Sequence, residues 1–403
     1  MKTMKNILLA TAFVRTLFTA IEPAFGQSWV LNSAPVSGPL VLACSADGSK
    51  LVAAVYAGPI YTSTNRGATW TLSPAPFYPQ ALVLSADGNK LAALEIGETS
   101  TMYTSTNWGA TWTSNSLPED LWTSLASSAD GSMLVAVGDF GPICVSTNSG
   151  ATWTATDTQD YEAWTSVASS ADGSKLAAVN SFGMIYTSAN SGGSWTEATN
   201  LPAPVNSDQC SIACSADGTE VIATSSGQGI YTSTNSGATW MTTSAPPINW
   251  MSVASSADGS KLVAVTGGAV FEETGEGPIY SSTNGGSTWT SNSISGDDRW
   301  SIASSADGTV LMTGGNSGVY ISQTTAAPQF NIAPTSGNLL LSWIVPSTNF
   351  VLQQNLDLNT TNWTPVTNAC VLNLTNLENQ VILAVPAGNT FYRLQTQYPE
   401  GHQ

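Results

Sequence analysis

Carboxylates and tryptophans are the residues of this chain best placed to do chemistry. The 403 residues include 27 Asp plus Glu, 10 Lys plus Arg, 14 Trp and a single His, His402. Four of the tryptophans, Trp122, Trp164, Trp250 and Trp300, stand seven or eight residues before an aspartate of a recurring motif. Acidic residues fall close to them: Glu119 and Asp120, Asp160 and Glu162, Asp297 and Asp298. An indole face beside carboxylates suits the C–H face and hydroxyls of a sugar, and equally a basic protein segment through cation–π and ion-pair contacts. Two carboxyls from different elements, about 5–10 Å apart, would also suffice for glycoside hydrolysis. The same residues have plainer readings, the tryptophans as packing between repeats and the acids as a solvated loop face. Calcium is a weaker option, because no Asp-x-Asp-x-Asp loop occurs. One histidine next to the last residue argues against histidine base catalysis, triads and His-rich zinc sites.

The formal charge of −17 excludes two partners, nucleic acid and anionic membrane surfaces. Charged residues make up only 9%, but 42% of the chain is hydrophobic, ample for a large core. Lys2 and Lys5, the apolar run Ile7 to Val14, and Ala24-Phe25-Gly26 before Gln27 read as a secretory signal over residues 1–26, with Arg15 interrupting the apolar part. No later apolar run approaches the roughly 18 residues of a membrane span. Export to the periplasm, cell surface or medium is expected, without membrane insertion. The five cysteines, Cys44, Cys144, Cys210, Cys214 and Cys370, match no metal spacing. A Cys210–Cys214 disulfide is conceivable, but Cys44 and Cys214 occupy repeat positions where other copies carry Ser, which favours small buried side chains.

The elements that must position these residues come from a repeat. Ser-Ala-Asp-Gly occurs seven times, with aspartates at Asp47, Asp87, Asp130, Asp172, Asp217, Asp258 and Asp307, at intervals of 40, 43, 42, 45, 41 and 49 residues. Each lies between two strand-like runs, and Asp-Gly there is a hairpin turn. A second motif follows the first six copies, as in Ile60 to Trp70, and recurs ending at Trp112, Trp153, Trp195, Trp240 and Trp289. The seventh copy stops at Val319-Tyr320-Ile321-Ser322, and the missing Trp segment lies at the other end of the chain, at Trp29. Four strands per repeat of about 43 residues is the pattern of a propeller blade. The expected architecture is all-β: a seven-bladed propeller over 27–326, its last blade completed by the N-terminal strand.

The second motif resembles the Asp-box of bacterial neuraminidase repeats, Ser-x-Asp-x-Gly-x-x-Trp. Ser63-Thr64-Asn65-Arg66-Gly67-Ala68-Thr69-Trp70 matches it with Asn for Asp, and all six copies have Asn: Asn65, Asn107, Asn148, Asn190, Asn235 and Asn284. The resemblance implies a propeller in which these boxes are structural turns, as the Asp-Gly turns are expected to be. Proteins of this kind include sialidases, xyloglucan-degrading glycosidases, sortilin-type receptors and photosystem II assembly factors, so fold alone does not fix activity. Sialidases are expected to hold their substrate with three arginines, whereas residues 27–403 contain only Arg66, Arg299 and Arg393. The photosystem factors are expected to carry a basic patch that is missing here.

Residues 327–403 leave the repeat and read as short strands with Asn- and Pro-rich turns, a small immunoglobulin- or fibronectin-like β-sandwich. In the propeller, the Asp-Gly turns and Asn-boxes fall on one face. The second-to-third strand loops and blade-to-blade loops fall on the other, with Trp122, Trp164, Trp250, Trp300, Asp120, Asp160, Glu162, Asp297 and Asp298. The leading expectation is a monomeric, non-enzymatic binding propeller that takes a glycan or a neutral or basic protein on this acidic, aromatic face, without a cofactor. A polysaccharide-active hydrolase or lyase using the same carboxylates is the alternative, and a surface scaffold the third reading.

Overall fold

The computed structural model describes residues 28–396, apart from 37, 39, 96–100, 119–120, 140, 159–162, 200, 202–209, 226, 268–276, 293–298, 325–329, 345–349, 358–359, 374–376 and 387–389. The proposed leader therefore lies outside the described residues. These form strands and turns, and among them no helix is long and apolar enough to cross a membrane.

Seven four-stranded antiparallel sheets make the propeller. Blade one runs from axis to rim as Leu40–Cys44, Leu51–Val55, Ile60–Ser63 and Thr71–Leu72. Blades two to six repeat it behind the inner strands Pro79–Leu84, Trp122–Ser127, Trp164–Ser169, Cys210–Cys214 and Trp250–Ser255. Blade seven combines Arg299–Ser304, Val310–Gly315 and Gly318–Gln323 with the N-terminal strand Trp29–Leu31 at its rim. There Trp29 pairs with Ser322 and Leu31 with Tyr320, so the first and last strands of the propeller share one sheet. The second strands are buried throughout, as in Leu51–Ala54 and Leu134–Val137, because both their faces meet neighbouring blades.

The ring closes at its centre through the backbone. The N–H of Ala46 donates to the carbonyl of Ala86, and the series continues through Ala129, Ala171, Ala216, Ala257 and Ala306, whose N–H returns to Ala46. These seven bonds measure 2.6–2.9 Å. The alanines are the second residues of the seven Ser-Ala-Asp-Gly motifs. Neighbouring turns approach backbone to backbone there.

Each motif also builds its own turn. The Asp47 carboxylate accepts from Ser45 Oγ at 2.7 Å and from the N–H of Ser49 at 2.9 Å, while Ser45 Oγ accepts the N–H of Lys50. The same bonds recur at Asp87, Asp130, Asp172, Asp217, Asp258 and Asp307. The Asn-boxes are equally regular. Asn65 Oδ1 accepts Ser63 Oγ and the N–H of Thr69, while its Nδ2 donates to Thr69 Oγ1. Asn107, Asn148, Asn190, Asn235 and Asn284 repeat this geometry. The amide keeps the one oxygen that takes the Ser63 hydroxyl and the Thr69 N–H, and in place of a second acceptor oxygen its Nδ2 donates the third bond to the hydroxyl. Each box then ties back to the Asp-Gly turn of its own blade, as in Arg66 N–H to Ser49 O.

Beyond Thr324 the chain forms two more sheets. One orders Phe330–Thr335, Asn338–Ile344, Glu378–Ala384 and Val371–Asn373; the other orders Thr364–Pro365, Phe350–Asn355 and Phe391–Thr396. They enclose Leu341, Trp343, Leu352, Val381 and Leu383, a small sandwich core. All five cysteines are free thiols, including Cys210 and Cys214 at the two ends of one strand. Burial pushes the Cys214 thiol up to about 12, and Cys44 is raised by burial and by the charges of Asp47 and Asp307. Cys44 Sγ donates to Ser45 O as Ser127 Oγ does to Ser128 O, so the thiol stands in for a hydroxyl.

Ring closure and turn chemistry each lead to a measurable outcome. Removal of residues 28–31 uncovers the Gly318–Gln323 edge and strips Trp29 from the apolar cluster of Val263, Val265, Ile279, Ile302 and Leu311, at a cost of about 3 kcal/mol. Calorimetry should then show a melting temperature lower by roughly 5–10 °C. The turn chemistry is read through pH. Burial raises the Asp172 carboxyl, but hydrogen bonds from Ser170 and Ser174 outweigh it and leave it below the usual range. Asp87, Asp130 and Asp217 behave alike, helped by lysine charges. Their stabilisation is present above the unfolded carboxyl pKa of about 3.9 and lost as pH falls through the lowered folded values. Asp307 is raised by burial despite the same partners, so its ionisation costs stability at neutral pH. Asp172→Asn should lower the melting temperature at pH 7, with the deficit shrinking towards pH 3. Asp307→Asn should leave it equal or higher at pH 7.

Candidate functional site

The tryptophans do not form an exposed platform. Trp122 is 5% exposed, Trp164 1% and Trp250 fully buried. A bulge follows each: Trp122 pairs with Gly138, Trp164 with Asn180 and Trp250 with Thr266 before the register shifts. The bulge turns the indole into the seam with the preceding blade. Trp122 packs with Leu94 and Met102 of blade two, Trp164 with Val137 and Ile143 of blade three, and Trp250 with Ile222 and Ile230 of blade five. Their polar ends are satisfied locally, Trp122 Nε1 donating to Pro118 O and Trp250 Nε1 to Pro246 O. Trp164 and Trp250 also meet Tyr186 and Tyr280 edge-on at 5.3 and 5.1 Å. The expectation that they offer stacking faces to a ligand is therefore corrected: they are wedges between blades. In blade two Phe77 does the same work, stacked on Tyr103 at 4.0 Å. For Trp300 only the backbone is described. Asp120, Asp160, Glu162, Asp297 and Asp298 lie outside the described residues.

Among the described residues, this face presents four other large side chains. Tyr56 is 47% exposed, Tyr78 56%, Leu121 45% and Phe182 55%. All four sit at strand ends opposite the Asp-Gly turns: Tyr56 and Phe182 follow second strands, and Tyr78 and Leu121 precede inner strands. Each is held by an ordered neighbour. Tyr78 and Leu121 adjoin the buried Phe77 and Trp122. The turn carrying Phe182 is fixed by buried Asn180, whose Oδ1 accepts the N–H groups of Phe182 and Met184 at 3.0 and 2.8 Å. Gly58 N–H closes the turn of Tyr56 onto Val55 O at 2.8 Å. Aromatic groups on rigid turns lose little freedom on binding. Sequence periodicity had no means of finding Tyr56, Tyr78 and Leu121, since each sits alone on a turn rather than in the repeat.

The lysines complete the electrostatics. All four beyond residue 26, Lys50, Lys90, Lys175 and Lys261, stand three residues after a motif aspartate. Lys50 Nζ donates to Asp87 O and Asn89 Oδ1 in the next blade, and Lys261 Nζ to Asp307 O. Lys90 and Lys175 lie against Gly131 and Gly218 in the same manner. The lysines thus belong wholly to the Asp-Gly face and lend nothing to the opposite one. Their spacing from the aspartate was a readable signal for this blade-to-blade clasp.

The catalytic alternative turns on carboxylates that lie outside the described residues. Among the described ones, the raised carboxyls are Glu220, by burial and Asp217, and Asp307, by burial, and both lie on the Asp-Gly face. No group of three or more metal-ligating side chains is present among the described residues.

No known family model and no curated protein sequence matches this chain. Solved structures do. YCF48 from Cyanidioschyzon merolae superimposes with a TM-score of 0.55 and 18% identity, covering 73% of this chain and 98% of its own. A structure of YCF48 bound to D1 peptide gives 0.56 and 16%, covering 75% and 97%. At such identities the likeness speaks for architecture. This chain has the β-propeller fold of those proteins, followed by a C-terminal sandwich.

Proposed function

We propose that this chain is an exported binding protein whose propeller takes a neutral or basic protein segment on the face opposite the Asp-Gly turns. The observation that carries the reading is the set of exposed, turn-mounted Tyr56, Tyr78, Leu121 and Phe182 on the face to which no lysine contributes. Apolar and aromatic anchors fit a segment bearing apolar side chains, and the acidic residues that the sequence assigns to the loops of this face favour one that is also basic. YCF48, a propeller of similar architecture, is known in a form bound to D1 peptide, which supports a peptide as the class of ligand. The Asn-boxes support kinship with Asp-box propellers, with the domain limits 27–326 and 327–403 and an immunoglobulin- or fibronectin-like C-terminal module. Burial of the tryptophans weakens the glycan reading, because it removes the faces on which sugars would stack.

The test is selection from displayed peptide libraries, run beside a glycan array. Basic and apolar peptides should be enriched, and their affinity should fall with salt. Phe182→Ala and Tyr78→Ala should each weaken binding roughly five- to thirty-fold, as for interface anchors worth about 1–2 kcal/mol. Lys50→Ala, on the other face, should leave affinity unchanged. Enrichment of acidic peptides, or of glycans alone, contradicts the proposal. Trp164→Ala should act on stability, lowering it by about 3–5 kcal/mol in urea unfolding.

A further inference from the structure

The Asp-Gly face holds a contact that the repeat does not account for. Leu377 sits in the turn between Val371–Asn373 and Glu378–Ala384 of the C-terminal sandwich. Its φ is 54°, in the left-handed region where glycine is at ease and leucine is strained. Its side chain is not part of the sandwich core around Leu341, Trp343 and Leu352. It packs instead on the central alanines of the propeller: Ala46 and Ala306 on one side, Ala129, Ala171 and Ala216 on the other, with Ala86 and Ala257 common to both. One side chain from the end of the chain therefore touches the ring formed by all seven blades.

The ring is shaped for such a guest. Seven methyl groups around one axis make a shallow apolar socket, and the backbone groups beneath them are already bonded to one another. A branched aliphatic side chain at the tip of a tight turn offers apolar surface without bringing unsatisfied polar groups to that place. The shielding is also lopsided. Asp47 and Asp307, in the two blades beside the point where the chain leaves the propeller, are half-buried, whereas the other five motif aspartates are exposed.

We propose that the alanine ring is a binding socket for one branched aliphatic side chain on a turn, and that Leu377 is its built-in occupant, making the C-terminal sandwich a stopper on the Asp-Gly end of the propeller. The backbone strain at Leu377 is then held by docking. The opposite face is left as the free one, and the two modules move as a unit.

Small-angle X-ray scattering on the full chain tests this with Leu377→Asp, Leu377→Gly and Leu377→Met. The Asp variant puts a charge in the socket, and the Gly variant relaxes the turn while removing the guest. Both should raise the radius of gyration and add a second maximum to the pair-distance distribution, with the circular dichroism of the native chain retained. The Met variant, which keeps an apolar side chain, should scatter as the native protein does. Should the Asp variant lose sandwich structure, the Gly variant decides. A native-like scattering profile for Leu377→Gly would make the leucine a turn residue only and overturn the proposal.

Discussion

Seven backbone hydrogen bonds, each from an alanine N–H to the alanine carbonyl of the next blade, return to their starting point and set the geometry of everything around them. The closed set leaves no alanine N–H or carbonyl unpaired at the axis, whereas an open ring would leave one of each at its seam. Ser and Asp on either side of each alanine then hold the turn, and the residue three after the Asp reaches over the next turn. Lys50 and Lys261 show that clasp with explicit hydrogen bonds. At the rim, the pairing of Trp29–Leu31 with Gly318–Gln323 joins the ends of the ring and covers an edge that would otherwise be open to pairing.

Much of this was legible from residue order. The Ser-Ala-Asp-Gly spacing gave the blades, and the break after Ser322 together with Trp29 gave the shared seventh sheet. The Asn-boxes were readable because Asn keeps the acceptor on which the turn depends. The tryptophans carried two readings, and the structure decides for packing between repeats over a binding face. Their position at the entrance to the inner strand was correct, but the bulge after each one decides which way the ring points, and a bulge leaves no mark in residue types. The alanine ring was in plain view in every motif, yet periodicity does not say which side chain faces the axis. Leu377 was beyond reach, because its partners lie on seven blades distant in sequence and its own turn carries none of the usual glycine.

The two ends of the propeller are chemically distinct. One is a regular lattice of serine, aspartate and lysine contacts, with an apolar centre and the C-terminal module against it. The other carries single exposed aromatic and aliphatic groups on ordered turns, without lysine. The proposed binding face is the irregular end, where loop residues differ between blades on a rigid scaffold. The regular end spends its polar groups on the scaffold itself, as the lowered carboxyls of Asp87, Asp130, Asp172 and Asp217 show. Those groups are engaged with neighbouring hydroxyls and amides rather than poised for proton transfer.

The cyclic hydrogen-bond set is tested most directly by amide hydrogen exchange resolved to the seven alanines. A closed ring predicts that the amides of Ala46, Ala86, Ala129, Ala171, Ala216, Ala257 and Ala306 exchange as one slow group, through opening of the whole propeller. Rapid exchange at Ala306, whose bond to Ala46 closes the ring, with the other six still protected, would contradict it and leave the propeller open between blades seven and one.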